Sequence, residues 1–216
     1  MPTYNRSGMV RTAIESFLNQ DYENSELVIL DNGSTDETPE ILKEYSGNKR
    51  INIITCNHNL IPPRNFNELL AYTSGDLICH LHDDDSLTKD GLSLRVKKFV
   101  NEPWLQVVYA GWITGGKTYL GQPVNAQRII TEEYVNFTTL MFRKELDLVM
   151  DTSLRYYHDW LFKIKCFQEY KVGYIPEPVM NYTIHLGQAS IQCRELGMNG
   201  PEEKLMREII KKQYGI

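Results

Sequence analysis

The chain has 216 residues with 28 acidic and 23 basic side chains, which gives a net charge of −5 at pH 7. This acidic balance argues against nucleic acid as a partner, because no basic stripe is available to neutralise phosphates. No apolar run approaches the roughly 18–20 residues that span a membrane, and no signal peptide is recognisable, so we expect no transmembrane segment. The sequence is typical of a globular domain with a sizeable core.

The cysteines exclude two further classes of protein. All four are widely spaced, and none forms a Cys-x-x-Cys pair. The spacing therefore predicts neither a disulfide framework nor a zinc site, and it favours reduced thiols in a cytoplasmic protein. These residues are Cys56, Cys79, Cys166 and Cys193.

Short apolar strands alternate with amphipathic helices over the first hundred residues. Each strand–helix unit takes about 25 residues, a spacing that predicts right-handed crossovers and a mostly parallel sheet. Ser34 and Glu37 fit a capping box in front of the second helix. The predicted strands lie at 26–31, 51–55 and 76–81, after a very short one at the N-terminus, and the predicted helices at 8–19, 34–45, 64–73 and 90–100.

The pattern changes from residue 106 onward, where we expect a mixed and loop-rich second half. A glycine-rich loop is predicted at 111–127, and a Pro-Glu-Pro turn is expected to separate two strands near the C-terminus. The predicted strands lie at 106–110, 137–142, 172–175 and 179–184, with a hairpin at 117–120 and helices at 157–170 and 201–213.

Three adjacent carboxylates follow the predicted strand at 76–81. Alternate side chains of an extended chain share a face, so Asp83 and Asp85 are expected to point one way and Asp84 the other. Their mutual repulsion is offset either by solvent, in an ordinary acidic turn, or by a hard cation such as Mg²⁺ or Mn²⁺. The end of a buried strand in an α/β sheet favours the cation, because ligands bind at that edge.

Five short motifs occur in a fixed order along the chain. They are Pro2-Thr3-Tyr4-Asn5-Arg6, Leu30-Asp31-Asn32-Gly33-Ser34-Thr35-Asp36, His82-Asp83-Asp84-Asp85, His158-Asp159-Trp160 and Tyr182-Thr183-Ile184-His185. Together they resemble the P-T-Y-N-R, D-[DN]-G-S-x-D, DxD, Glu-Asp-Trp and Y-R-x-H elements of the family 2 nucleotide-sugar glycosyltransferases, which have the GT-A fold.

The resemblance implies a fold and an activity. The fold is α/β: a single GT-A (Rossmann-like) domain over 1–216, with a mostly parallel central sheet flanked by helices. Residues 1–100 would form the nucleotide-binding half, 101–190 the acceptor-binding half and 191–216 a C-terminal helical tail. The implied activity is metal-dependent, inverting transfer of a sugar from a UDP, dTDP or GDP sugar to a hydroxyl of a glycan, lipid-linked or protein acceptor.

The resemblance also implies roles for individual residues. Tyr4 would stack on the nucleobase, and Asp159 would be the catalytic base. From the residues alone, Asp31 also suits an Asx turn, Arg64 a solvated helix start and Trp112 the core. The implied nucleotide-binding residues are Thr3, Tyr4, Asp31, Asn32, Arg64 and Asp83. The implied ligands of a Mn²⁺ or Mg²⁺ ion are Asp84, Asp85 and His185, and the sugar or acceptor pocket would contain Trp112, His158 and Trp160.

Three positions depart from the family pattern. Only Met1 stands where the family has about five apolar residues of a central strand, so either the start is shortened or the domain tolerates a short strand. Asn32 stands where many members have a second Asp, which leaves uracil, thymine and guanine open, and His158 replaces a Glu. The alternatives to the glycosyltransferase are a nucleotidyltransferase, although no Gly-rich phosphate loop is found, and a non-catalytic sugar-nucleotide-binding module.

Overall fold

The structure, a computed structural model, describes residues 1–131 and 135–215. The strands are β1 Pro2–Thr3, β2 Leu27–Asp31, β3 Ile51–Thr55, β4 Leu77–Cys79, β5 Ser86–Leu87, β6 Val107–Thr114, β7 Lys117–Tyr119, β8 Met141–Arg143 and β9 Val172–Asn181. The helices are α1 Val10–Leu18, α2 Thr38–Glu44, α3 Arg64–Leu70, α4 Gly91–Asn101, α5 Ala126–Thr131, α6 His158–Glu169, α7 Ala189–Glu195 and α8 Asn199–Tyr214.

The strands form two sheets. A three-stranded sheet of order β1-β2-β3 is parallel throughout. A mixed sheet has the order β4-β8-β6-β9-β5, with β7 paired to the edge of β6. Its long β6–β9 pair is parallel, whereas its other pairs are antiparallel. The α/β class expected from the sequence is thus confirmed, while the division into nucleotide-binding, acceptor-binding and tail segments stays a prediction.

The spacing of the strand–helix units had indicated that β4 extends the parallel sheet, and this expectation was wrong. Strand β4 pairs antiparallel with β8, where Ile78 lies opposite Phe142. A cleft of about 420 Å³ separates its other side from β2 and is lined by Met1, Leu27 and Leu77 among others. Repeat length predicts alternation of strands and helices, but pairing depends on which edge is nearest in the folded chain.

The amino group of Met1 lies inside the protein beside this cleft. Met1 is 7% exposed, and its amino group donates a hydrogen bond of 2.7 Å to the carbonyl of Val28. Burial lowers the pKa of this amino group to about 5. Strand β1 is two residues long and pairs with only the last two residues of β2, Leu30 and Asp31, as the short apolar start predicts.

Three expectations for the second half need correction. The strand predicted at 137–142 is confined to Met141–Arg143, because Phe137–Thr139 form a 3₁₀ turn. Strand β6 continues to Thr114 through the predicted glycine-rich loop, and the two predicted C-terminal strands are one strand, β9. Register shifts around Gly111 allow the Pro-Glu-Pro segment to stay within β9, since Ala110 lies opposite Ile175 and Gly111 opposite Pro178. A Cβ at Gly111 would collide with the backbone oxygen of Tyr119, so the close approach of β7 requires glycine there.

Among the described residues there are two large buried clusters and a small third one between β2 and α3, with Val28, Leu30 and Leu69. Helix α1 packs its apolar stripe, including Ile14 and Phe17, into a first core with β2 and α4. Helix α6 packs against β6 and β8 in a second core, to which α8 contributes Met206 and Ile210. Helix α5 had not been predicted, and α7 begins two residues before the helical tail expected at 191–216. Within the described ranges, no helix combines the length and the apolar character that a membrane crossing requires.

Candidate active site

The loop after β1 is fastened to the loop after β2. The backbone N–H of Ser7 donates to Asp36 Oδ2 at 3.1 Å, and the N–H of Thr35 donates to Asn5 Oδ1 at 2.8 Å. Asn5 has a φ of 51°, a left-handed conformation that Asn tolerates better than most residues. The expected capping box is wrong, because no side chain caps α2 at Glu37 and Asp36 instead accepts from the N–H of Thr38.

Three predicted nucleotide-binding residues are buried at the ends of β1 and β2. Thr3 lies opposite Asp31 in the parallel register. Asp31 Oδ1 accepts the N–H of Ser34 at 3.0 Å, as in an Asx turn. Asn32 is 2% exposed, and its Oδ1 has no hydrogen-bond partner in the part of the chain that the structure describes. Burying an unpaired acceptor is costly, which is the situation expected where a ligand supplies the donor.

Two other residues implied in nucleotide binding lie on the surface. Tyr4 is 40% exposed in the loop after β1. Arg64 is exposed at the first residue of α3. Their roles stay predictions.

The acidic segment after β4 directs its carboxylates to different partners. Asp83 Oδ1 lies 3.5 Å from Arg6 Nε, and Asp84 Oδ2 lies 2.9 Å from His185 Nε2. Asp85 is 2% exposed and accepts the backbone N–H of Thr183 at 3.0 Å. The segment therefore connects the loop after β1 with the segment that follows β9.

A metal ion fits this cluster by the chemistry of its donors. His82, Asp84 and Asp85 each offer one ligand atom, and these atoms lie within 4.8 Å of one another. Carboxylate oxygens with one imidazole suit Mn²⁺ and also accept Mg²⁺. Of the predicted ligands, Asp84 and Asp85 belong to this group, and His185 contacts Asp84. His82 was not predicted as a ligand, although its place at the start of the DxD-like motif was the available signal.

The packed negative charge shifts two pKa values. Burial and then the neighbouring charge of Asp84 raise the pKa of Asp83. Burial alone would lower the pKa of His82, but its hydrogen bond with Asp85 and the nearby carboxylates raise it to about 8. A divalent cation would be the largest local charge in such a site and would offset this repulsion.

Asp159, the predicted base, occupies the second position of α6. Its Oδ1 accepts the N–H of Trp160 at 2.8 Å, and its Oδ2 lies 3.2 Å from Nζ of the fully buried Lys163. Burial would raise the pKa of Asp159, but the charges of Lys163 and then His158 lower it overall. The carboxylate is therefore ionised at neutral pH. Lys163 was missed, although its i,i+4 spacing from Asp159 was a usable signal.

An aromatic chain links α6 to the acidic cluster. The ring of Phe137 lies 6.4 Å from that of His82 and 5.5 Å from that of Phe162 in α6. His82 Nδ1 also lies 2.8 Å from the hydroxyl of Thr138. The short 3₁₀ turn at Phe137–Thr139 thus packs between the start of α6 and the carboxylates.

The three residues implied in the sugar or acceptor pocket have different surroundings. Trp112 is half-buried in β6 and stacks on Tyr119, with ring centroids 5.2 Å apart. Trp160 is buried and donates from Nε1 to the carbonyl of Ile129 at 2.7 Å. His158 Nδ1 lies 2.9 Å from the carbonyl of Arg155. The first two contacts are those of structural anchors, and the pocket roles stay predictions.

Solved structures share this fold. The S. aureus TarS 1–349 structure in complex with UDP-GlcNAc superposes with a TM-score of 0.74 at 21% identity, covering 87% of this chain and 58% of that one. Mannosyltransferase PcManGT from Pyrobaculum calidifontis, in complex with GDP-Man and Mn²⁺, gives a TM-score of 0.71 at 16% identity and covers 95% and 62%. The chain thus spans about three-fifths of each, and both neighbours are GT-A glycosyltransferases.

Sequence comparisons lead to the same group of proteins. An uncharacterised glycosyltransferase of Haemophilus influenzae is 25% identical over 204 residues, which cover 90% of this chain and 81% of the relative. The sequence model of glycosyl transferase family 2 matches residues 1–169. The fold and the enzyme class expected from the five motifs are therefore confirmed: the chain belongs to glycosyl transferase family 2.

Proposed function

We propose that this glycosyltransferase is metal-dependent and inverting, and that it uses a UDP, dTDP or GDP sugar as donor. A hydroxyl of a glycan, lipid-linked or protein acceptor would receive the sugar. The observation that carries the proposal is the convergence of His82, Asp84 and Asp85 at the end of β4. Such a ligand set suits a cation that binds a diphosphate leaving group.

The donor would bind over the ends of β1 and β2. The buried and unpaired Oδ1 of Asn32 supports a nucleobase contact there, and the exposed ring of Tyr4 offers a stacking face. Thr3 and Asp31 end these two strands, and Asp83 lies beside Arg6 in the loop after β1. Arg64 would contact base or phosphate. UDP-GlcNAc in the TarS structure and GDP-Man in the PcManGT structure support a nucleoside diphosphate sugar, without choosing the base.

Asp84 and Asp85, with His82, would hold Mn²⁺ or Mg²⁺, and His185 would bind the metal or orient Asp84. The Mn²⁺ in the PcManGT structure supports this choice of cofactor. When bound there, the ion would supply Lewis-acid chemistry that offsets the charge of the departing diphosphate. Arg6 beside Asp83 adds a positive charge on the same side of the site.

Asp159 would take the proton of the acceptor hydroxyl. Its ionised state and its two hydrogen bonds suit a base with a fixed orientation, and each oxygen keeps a lone pair for the acceptor. Attack from the face opposite the diphosphate would invert the anomeric centre. His158, Trp112 and Trp160 would shape the acceptor side.

All four cysteines are free thiols, which supports the predicted cytoplasmic location.

The test is a thermal-shift panel of UDP, dTDP and GDP sugars, each with Mn²⁺ and with a chelator. We expect one nucleotide to raise the melting temperature in the presence of metal and to lose that effect with the chelator. The effect of metal should disappear in Asp84→Ala and remain in the matched control Asp76→Asn, which alters an exposed carboxylate just before β4. Stabilisation that is equal with metal and chelator would contradict metal dependence, and nucleotide binding without sugar transfer to any acceptor would favour the binding-module alternative.

A further inference from the structure

A carboxylate from the C-terminal helix lies at the start of α6. Glu202, near the beginning of α8, is 7% exposed. One or both of its oxygens accept the backbone N–H of Arg155 at 3.1 and 3.2 Å, of Tyr156 at 2.7 Å and of Tyr157 at 3.3 Å. Three consecutive backbone donors therefore converge on a single buried carboxylate.

These donors belong to the segment that leads directly into α6. Tyr157 is the residue before the helix, and Asp159 follows two positions later. Hydrogen bonds from N–H groups to a carboxylate are short and directional, and a buried carboxylate requires such partners. Negative charge is also favoured near a helix N-terminus. Glu202 consequently fixes the position at which α6 begins.

Helix α8 also contacts the residue that follows Asp159. The guanidinium of Arg207 lies 6.0 Å from the centre of the Trp160 ring. Met206, its neighbour, is fully buried in the core shared with α6. Helix α8 therefore contacts the chain on both sides of Asp159, whereas Lys163 lies on α6 itself and moves with it.

We propose that Glu202 is a positioning residue for Asp159, so that the C-terminal helix is part of the machinery of sugar transfer. The proposal rests on the proposed function, because it requires Asp159 to act on the acceptor. The family match ends at residue 169, well before α8. Glu202 acts through the backbone of residues 155–157 and touches neither donor nor acceptor.

The first test measures amide hydrogen exchange in Glu202→Gln, with the exposed Glu208→Gln on the same helix as control. We expect exchange at residues 155–157 to become about tenfold faster in Glu202→Gln and to stay at the parental rate in Glu208→Gln. Unchanged exchange at these amides would overturn the proposal. Should Glu202→Gln melt below the assay temperature, Glu202→Asp keeps the charge with a shorter reach and should show a smaller increase.

The second test measures turnover and donor KM in the same variants. A small displacement of a catalytic group costs up to about 100-fold, so we expect kcat to fall about 10- to 100-fold in Glu202→Gln with donor KM within about twofold. Glu202→Asp should recover part of the loss. In an Asp159→Asn background, Glu202→Gln should lower kcat no further, because the two residues act as one unit.

The outcomes separate this proposal from the proposed function. A parental kcat in Glu202→Gln would overturn the positioning role alone. The same would follow if Glu202→Gln lowered kcat by an equal factor in the parent and in the Asp159→Asn background. Parental turnover in Asp159→Asn would instead remove Asp159 as the base and the positioning role with it. A donor KM that rises while kcat falls would indicate that Glu202 only maintains the fold.

Discussion

The loops around Asp31 and the start of α6 hold their carboxylates in different ways. Asp31 accepts the N–H of Ser34, three residues later, and Asp36 accepts that of Thr38, two residues later. The start of α6 is held by Glu202, which is separated from Tyr156 by 46 residues. The donor side is therefore built from turns within one loop and from hydrogen bonds between the loops after β1 and β2, whereas the proposed base depends on the packing of a distant helix.

The acidic cluster stands between these two cases. Its residues are adjacent in sequence, but Arg6 and His185 approach it from opposite ends of the chain. Three carboxylates placed this close repel one another unless cations offset them. The comparison indicates that the proposed metal ligands can be predicted from local sequence, while the orientation of their side chains comes from long-range partners.

The largest effect is expected at the start of α6, where the proposed base lies. Asp159→Asn keeps the shape and the hydrogen bond to Trp160 but removes the base, so we expect kcat to fall about 10²- to 10⁴-fold. Donor affinity should not change, because only a transition-state function is lost. Transfer rate with a cognate acceptor and calorimetric donor affinity check both parts. Asp151→Asn is the control, since that carboxylate accepts from Ser153 in its own turn. Turnover within about threefold of the parent would exclude Asp159.

The second-largest effect, a fall in nucleotide affinity, is expected at the acidic cluster. Asp84→Ala removes one proposed ligand and the partner of His185, so nucleotide affinity in Mn²⁺ should fall about 10- to 100-fold. Affinity measured with a chelator should be nearly the same in variant and parent, because the ion is then absent from both. Titration calorimetry with UDP, dTDP and GDP gives the comparison. Equal affinity in Mn²⁺ would make the cluster an ordinary acidic turn.

The contrast also explains what the sequence could predict. Strand β3, helix α6 and the hairpin at β7 lie where periodicity placed them, because apolar spacing and turn residues are local signals. Family membership followed from the order of five motifs. The antiparallel pairing of β4 and the continuity of β9 were not predictable, since both depend on strands that pair across long loops.

The same limit applied to the site. Asp84, Asp85 and Asp159 were proposed as site residues from their motifs, and the contact of Lys163 with Asp159 could have been predicted from their spacing. Glu202 carries no local signal, because an acidic residue in the first turn of a helix normally faces solvent. Only the fold shows that this side of α8 is buried.

A third prediction concerns the cleft beside the parallel sheet. An engineered extension of five alternating apolar residues before Met1 would continue β1 along Val28 and Leu27 and fill the cleft of about 420 Å³. It would also replace the buried amine by an amide. Burying two or three apolar side chains should raise the melting temperature by about 5–10 °C. A Gly-Ser extension of equal length is the control, because it removes the amine without filling the cleft. Equal melting temperatures would show that the cleft does not accept a strand.

The smallest expected effect tests the hydrogen bonds that Asp36 accepts on the donor side. Partial burial opposes ionisation, but hydrogen bonds from Thr38 and Ser7 lower the pKa of Asp36 to about 2. A carboxyl group with a folded pKa below its unfolded value of about 3.9 stabilises the protein above that value. The contribution is then lost as the pH falls from about 4 through 2. Since Asp36 is half-exposed, we expect Asp36→Asn to cost less than about 1 kcal/mol at pH 7, or about 2–4 °C.

The pH dependence separates charge from shape in this prediction. The melting temperatures of Asp36→Asn and the parent should differ at pH 7, approach each other as the pH falls toward 2, and converge below about pH 2, where the parental carboxylate is protonated as well. Glu37→Gln is the matched control: it is the exposed next residue and its side chain caps nothing at the start of α2, so its melting curve should follow the parental one at every pH. A difference that stays constant from pH 7 to pH 2 would mean that the Asp36 side chain acts by its shape. The loops after β1 and β2 would then be joined by packing, and the donor side would resemble the start of α6 more closely than the hydrogen bonds indicate.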